Sequence, residues 1–272
     1  MTGRRWRGWT AAALVASATL TAGCEIKADG NGLSVSGWSG QASDTWTRTY
    51  AVEPGGRIEI LNVNGEVRAE AWTGSQVEVT AERTASAASD ESARELLGKV
   101  EMREEVSPSR VRVETHGPKS WRGGYGAKFL VRVPAGVHVD LRTVNGGVRL
   151  ANVGGEVRAT STNGGVKGTI SGASLVEART TNGGVELSIA GTIAPDADVR
   201  LSSVNGGVRL DVPADTKASV SARCTNGRVD VSALPLAVEG EPTRRRVQGT
   251  LNGGGARIDL QTTNGGVTVG RS

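Results

Sequence analysis

The sequence predicts an all-β protein, a parallel β-solenoid (β-helix-like) with coils of about 20 residues and one short helix. Three observations carry that expectation. A phrase recurs along the chain: TVNGGVRL at 143–150, TTNGGVEL at 180–187, SVNGGVRL at 203–210 and TTNGGVTV at 262–269. The flanking residues alternate between apolar or small and charged with period 2, the period at which the side chains of a strand share one face. The Asn-Gly pairs at 145, 163, 182, 205 and 226 are spaced by 18, 19, 23 and 21 residues, which suits a coil that returns to the same place. Asn-Gly is also the strongest short hairpin signal, so an antiparallel β-roll or a sandwich of hairpins is the alternative.

Residues 1–23 read as an export signal and are set apart from the fold. Arg4, Arg5 and Arg7 form a basic start, and Trp9 to Leu20 is an apolar or small stretch of 12 residues, shorter than the roughly 20 needed to span a bilayer. The stretch ends in LTAGC. That ending resembles the lipobox of bacterial lipoproteins, which implies cleavage after Gly23 and a lipid on Cys24. Thr21 stands where the pattern prefers leucine, and ordinary secretion by cleavage nearby is the alternative. Residues 24–50 are rich in Gly, Ser and Asp and are expected to form a flexible tether.

The remainder, 51–272, is expected to be a single β-repeat domain, with an N-terminal part over 51–136 and regular repeats over 137–270. Within the first part, IEILNVNG at 58–65 already carries the repeat, and SDESARELLGKV at 89–100 predicts the helix, with Ser89 or Asp90 as its cap. VEMREEV at 100–106 and RVRVETH at 110–116, split by Ser-Pro-Ser, predict a hairpin. In the repeats, every second residue before a turn forms an inward set such as Val139, Leu141, Thr143 and Asn145, while Asp140, Arg142, Glu177 and Arg200 face water. Asn64, Asn145, Asn163, Asn182, Asn205, Asn226 and Asn264 then mark structural turns. Each is expected inward at a sharp corner where glycine supplies positive φ, with its amide bonding the asparagine of the next coil.

Removing the three leader arginines leaves 29 basic against 28 acidic residues, a net charge of +1. A near-neutral body lacks the basic footprint of a nucleic-acid binder, and no nucleic-acid partner is expected. With Cys24 lipidated, Cys224 has no disulfide partner; it occupies the Thr/Ser position of its repeat and reads as a small buried side chain. His116 and His138 have no partner nearby in sequence, and no GxSxG elbow, phosphate loop or β-roll calcium pattern is present. No catalytic residue, metal or cofactor is expected. One segment stands out, WRGGYGAKF at 121–129, which concentrates aromatic and basic residues. Trp121, Arg122, Tyr125 and Lys128 are its candidate ligand contacts, against the reading that the rings cap the core.

IEILNVNGEVRAEAW, the short helix near 90, VRVPAGVHVDLRTVNGGVRL and the later NGGV phrases together resemble the bacterial "putative adhesin" domain family, a domain of unknown function found in exported proteins. The resemblance runs from about Ala51 to Val269 and brings no catalytic residues. The functional expectation is a non-enzymatic, surface-anchored lipoprotein held to the membrane through its N-terminal lipid, on the outer membrane where one is present. It would present its β faces for adhesion or for binding a protein or glycan surface partner. The alternative is an envelope-stress sensing or scaffolding protein associated with a regulatory system.

Overall fold

The computed structural model describes residues 25–29, 32–36, 39–118 and 123–272. The strands β1 (Glu25–Asp29) and β2 (Gly32–Ser36) pair with each other as an antiparallel sheet. They are followed by β3 (Gly40–Tyr50), β4 (Arg57–Asn64), β5 (Val67–Ala71), β6 (Val77–Ala87), the helix α1 (Asp90–Gly98), β7 (Glu101–Ser107), β8 (Arg110–His116) and β9 (Gly123–Val133). The repeat block continues as β10 (His138–Asn145), β11 (Val148–Val153), β12 (Glu156–Asn163), β13 (Val166–Ile170), β14 (Ala173–Asn182), β15 (Val185–Ile189), β16 (Ile193–Asn205) and β17 (Val208–Val212). The chain closes with β18 (Ala218–Asn226), β19 (Val229–Asp230), β20 (Ala237–Val238), β21 (Arg246–Leu251), β22 (Ala256–Asn264) and β23 (Val267–Arg271).

Two large, mainly parallel sheets face each other. The first runs β20-β21-β18-β22-β16-β14-β12-β10-β4-β8-β7 and the second β19-β23-β17-β15-β13-β11-β5-β9-β6-β3. Each Asn-Gly corner therefore carries the chain from one sheet to the other, as from β10 to β11, and does not join neighbours within a sheet. That settles the competition between hairpin and crossover in favour of a solenoid-like arrangement for the repeat block.

Packing follows from period 2. Equivalent inward residues stack in register: Ile58, Val139, Val157, Val176, Val199 and Ile258 form one column of the first sheet, and Val67, Val148, Val166, Val185, Val208 and Val267 one of the second. All twelve are buried without residual exposure or nearly so. Burying a Val or Ile side chain contributes about 1.5–3 kcal/mol, so these ladders hold the sheets together. Outward positions carry ion pairs instead. Arg142–Asp140, Arg158–Glu156, Arg179–Glu177 and Arg200–Asp198 each link residues two apart on one strand, and Arg57–Glu156 and Arg110–Glu59 link strands.

Three features differ from the sequence reading. The coils do not stack in chain order, because β22–β23 is inserted between β16–β17 and β18–β19, and β4–β5 lies between β8–β9 and β10–β11. Within the segment 24–50 expected as a flexible tether, Gly40–Tyr50 is the strand β3, paired with β6 along its whole length, and Glu25–Asp29 and Gly32–Ser36 are strands paired with each other. The corner asparagines are exposed, except the half-buried Asn64, so they line the outside of the corner and not the core. The helix is as expected: the Ser89 hydroxyl accepts from the Ser92 N–H at its start, and Leu96 and Leu97 bury against Ala85.

Candidate functional site

The seven corner asparagines form one unbroken amide ladder. Nδ2 of Asn145 donates to Oδ1 of Asn64 at 2.8 Å, Asn163 to Asn145 at 2.9 Å, Asn182 to Asn163 at 2.8 Å and Asn205 to Asn182 at 2.9 Å. Asn264 then donates to Asn205 and Asn226 to Asn264, both at 2.8 Å. Asn64 ends the ladder by donating to the Tyr125 carbonyl at 3.0 Å. Every dipole points the same way, and such chains of hydrogen bonds polarise one another.

The glycines and the hydroxyl residues complete the corner. The N–H of the first glycine donates to the asparagine carbonyl of the next coil, as Gly146 to Asn163 at 3.1 Å and Gly183 to Asn205 at 3.0 Å. Its carbonyl accepts the buried hydroxyl two residues before the next asparagine: Ser161 to Gly146 at 2.7 Å, Thr180 to Gly164 at 2.6 Å, Ser203 to Gly183 at 2.8 Å and Thr262 to Gly206 at 2.7 Å. These bonds pair the first glycine's N–H and carbonyl with the neighbouring coils, which accounts for the recurring order Ser/Thr-x-Asn-Gly. Cys224, buried and aligned with Thr262, takes the hydroxyl position in one coil.

Positive φ explains only part of the glycine requirement. Gly183 has φ +151° and Gly265 +156°. For Gly206 the reason is space, since a Cβ would lie 2.0 Å from the Gly183 carbonyl oxygen. The second glycine is under no such constraint: a Cβ on Gly207 would meet its nearest atom at 3.5 Å, and Glu66 and Arg228 fill the equivalent place in two other coils.

Beside the amide ladder runs a second column that the sequence reading missed. The residues just before the asparagines, in spatial order Val63, Val144, Thr162, Thr181, Val204, Thr263 and Thr225, are all β-branched. All are exposed apart from the half-buried Thr263. The signal was present in the recurring T-V-N, T-T-N and S-V-N, but alternation directs attention to the inward partner. Adjacent strands lie about 4.8 Å apart, so methyls, hydroxyls and amides repeat at that interval along an uncharged ridge.

Of the aromatic-basic segment, Tyr125 and Lys128 lie among the described residues and occupy opposite faces of β9. Trp121 and Arg122 lie outside the described residues, as does Cys24. Tyr125 is half-buried and packs on Ala85, Leu96 and Leu97 beneath α1, whereas Lys128, at an odd number of residues from it on β9, is exposed on the opposite face. Among the described residues no three His, Cys, Asp or Glu side chains converge as metal ligands, and no helix is long and apolar enough to cross a membrane. His138 is part of the scaffold: its Nδ1 accepts the Glu156 N–H at 3.1 Å. Glu156 loses some solvation, yet the Arg158 hydrogen bond and the positive charges of Arg158 and Arg57 hold its carboxyl below the usual range.

Residues 132–270, which include the strands from β10 to β22 and all but the last residue of β23, match the sequence profile of the Toastrack DUF4097 family. The chain belongs to that family. Among solved structures, one described as a putative cell adhesion protein from Clostridium sporogenes ATCC 15579 superposes with a TM-score of 0.52 at 13% identity, covering 84% of this chain and 100% of that one. The likeness is one of fold. A structure described as a putative adhesin from Bacteroides fragilis NCTC 9343 aligns at 12% identity with a TM-score of 0.35, over 83% of this chain and 97% of that one. No curated protein matches the Toastrack chain in sequence.

Proposed function

We propose that this is an exported, lipid-anchored, non-enzymatic protein whose repeats form a parallel β-solenoid of about 20-residue coils, presenting the corner ridge to a protein or glycan surface partner in adhesion. The observation that carries the reading is the ridge itself. Its Val, Thr and Asn columns are exposed, uncharged and regularly spaced, and the amide ladder beneath fixes them before any partner arrives. A preformed surface has little conformational entropy left to lose on binding. The description of the Clostridium structure as a cell adhesion protein supports the same direction, and the LTAGC leader supports the anchor.

Thr162→Lys with Val204→Lys introduces two charges into the middle of the ridge, two strands apart, where both residues are exposed. Adhesion of cells displaying the variant to envelope or extracellular surfaces should fall while the melting temperature stays within a degree or two, because surface changes of this kind seldom exceed about 0.5 kcal/mol. Undiminished adhesion removes the ridge from the proposal. The anchor is tested separately: a fatty-acid analogue should label the wild type and not Cys24→Ser, and equal membrane retention of the two without label contradicts lipidation.

A further inference from the structure

The two large sheets end in four edge strands, β7 and β20 in the first and β3 and β19 in the second. Proteins blunt such edges by shortness or by charge, since unpaired backbone groups invite another strand. β19 and β20 are two residues long, and β7 sets Glu101, Glu104 and Glu105 around Arg103 in seven residues. β3 is neither short nor densely charged, with Asp44 and Arg48 as its two charges. It is 11 residues long, pairs with β6 without a bulge from Gly40↔Ala87 to Tyr50↔Val77, and contains no proline or lysine. Its other edge has no strand partner among the described residues.

The sequence of β3 is self-complementary about Trp46. Reading outward in both directions from that residue, Thr45 is matched by Thr47, Asp44 by Arg48 and Ser43 by Thr49. Trp46 is half-buried against the end of the core, and the Arg48 guanidinium lies 5.2 Å from its ring centroid. We propose that β3 is a self-recognition edge: a second copy of this chain adds antiparallel to it, with the two-fold axis at Trp46. Each Asp44, which Arg83 already holds from β6, then faces the Arg48 of the other copy, which lies beside Glu104 of its own chain, so that charges alternate across the seam; each Thr45 faces a Thr47, and the two Trp46 rings meet, extending the core across the axis. Opposite charges and aromatic or β-branched pairs are the favourable cross-strand combinations, and like charges directly opposite are not. In this register no like charges face each other.

One strand's length of contact is small beside the roughly 1,600 Å² of a stable interface. Association is therefore weak in free solution and is favoured when the chains share a membrane surface, which raises their effective concentration. Recognition of a second copy requires no ligand at the ridge, so its failure leaves the adhesion reading untouched.

The test uses the exported chain with Cys24→Ser and Cys224→Ser, serine being what other coils hold at the position of Cys224. Thr45→Cys and Thr47→Cys, both at exposed positions, are made as separate single-cysteine variants and oxidised with copper-phenanthroline, alone and mixed. The mixed sample should cross-link several-fold faster than either variant alone, because only unlike positions are directly opposite. Arg48→Glu, which sets Glu against Asp44 at both symmetry-related pairs, should slow cross-linking of the mixture roughly tenfold. Equal rates in the three samples, no cross-linking in the mixture, or an undiminished rate with Arg48→Glu each overturn the proposal.

Discussion

At a Toastrack corner, two adjacent glycines have opposite tolerances for the same methyl group. In Gly206 the added Cβ collides with a backbone oxygen of the coil above, and that oxygen is held in turn by Ser203 and the stacked sheets. In Gly207 it reaches only ordinary contact distance. Gly206→Ala should therefore cost about 1–3 kcal/mol, the usual penalty for overpacking. Gly207→Ala should be neutral or stabilise by about 0.4–1 kcal/mol, because it restricts the unfolded chain without straining the folded one. Urea melts of the two variants decide the matter. Similar losses from both would mean that the corner depends on flexibility and not on close approach. The requirement for glycine was legible in the recurring NGG, but its cause was not: a sequence shows that a Cβ is absent without showing what lies where it would have been.

Strand alternation told which residues fill the core and told it correctly as far as the Ser/Thr position of each coil. It failed at the next step, because the chain turns there, and a residue two further along no longer shares the face. Asn145 and its equivalents were expected inward and, apart from the half-buried Asn64, are exposed, yet they do bond to one another as the repeat suggested, in the spatial order of the coils, with Asn264 between Asn205 and Asn226. An exposed ladder makes a distinct prediction from a buried one. Asn182→Ala removes two bonds, those with Asn163 and Asn205, and should cost about 1 kcal/mol since water can replace the lost partners. Asn182→Asp keeps an acceptor for Asn205 but, as a carboxylate, has no hydrogen for Asn163 and faces its oxygen. The facing oxygen raises the folded-state pKa of that carboxyl and protonation restores the donor, so the deficit of Asn182→Asp relative to wild type should shrink as pH falls through that raised value and level off below about 4, the ordinary aspartate value. The deficit of Asn182→Ala should not change over that range. A pH-independent difference between the two variants in paired thermal melts would argue that the side chains do not bond to one another.

The order of coils is the property that the sequence concealed most completely. Repeats with the same inward pattern present the same surface above and below, so nothing in the phrase itself says which coil neighbours which, and chain order is the natural expectation. The structure places the C-terminal coil β22–β23 inside the stack, parallel to β16–β17 on one side and β18–β19 on the other. Removing it therefore does not trim an end. A chain stopped after Gly255 loses the buried Ile258, Leu260, Val267 and Val269, each contributing about 1.5–3 kcal/mol, and strands on both sides lose their partner. That sum is of the order of the whole net stability of a domain, about 5–15 kcal/mol. The truncated chain should accordingly lose its cooperative transition and its near-ultraviolet signal. Deleting 25–36, whose strands among the described residues pair with each other and with no other strand, should leave the transition unchanged. In a solenoid stacked in chain order, truncation after Gly255 would expose a single new end and leave a shortened but cooperative protein. A clear two-state melt from that truncation, only modestly lowered in midpoint, would contradict the inserted order.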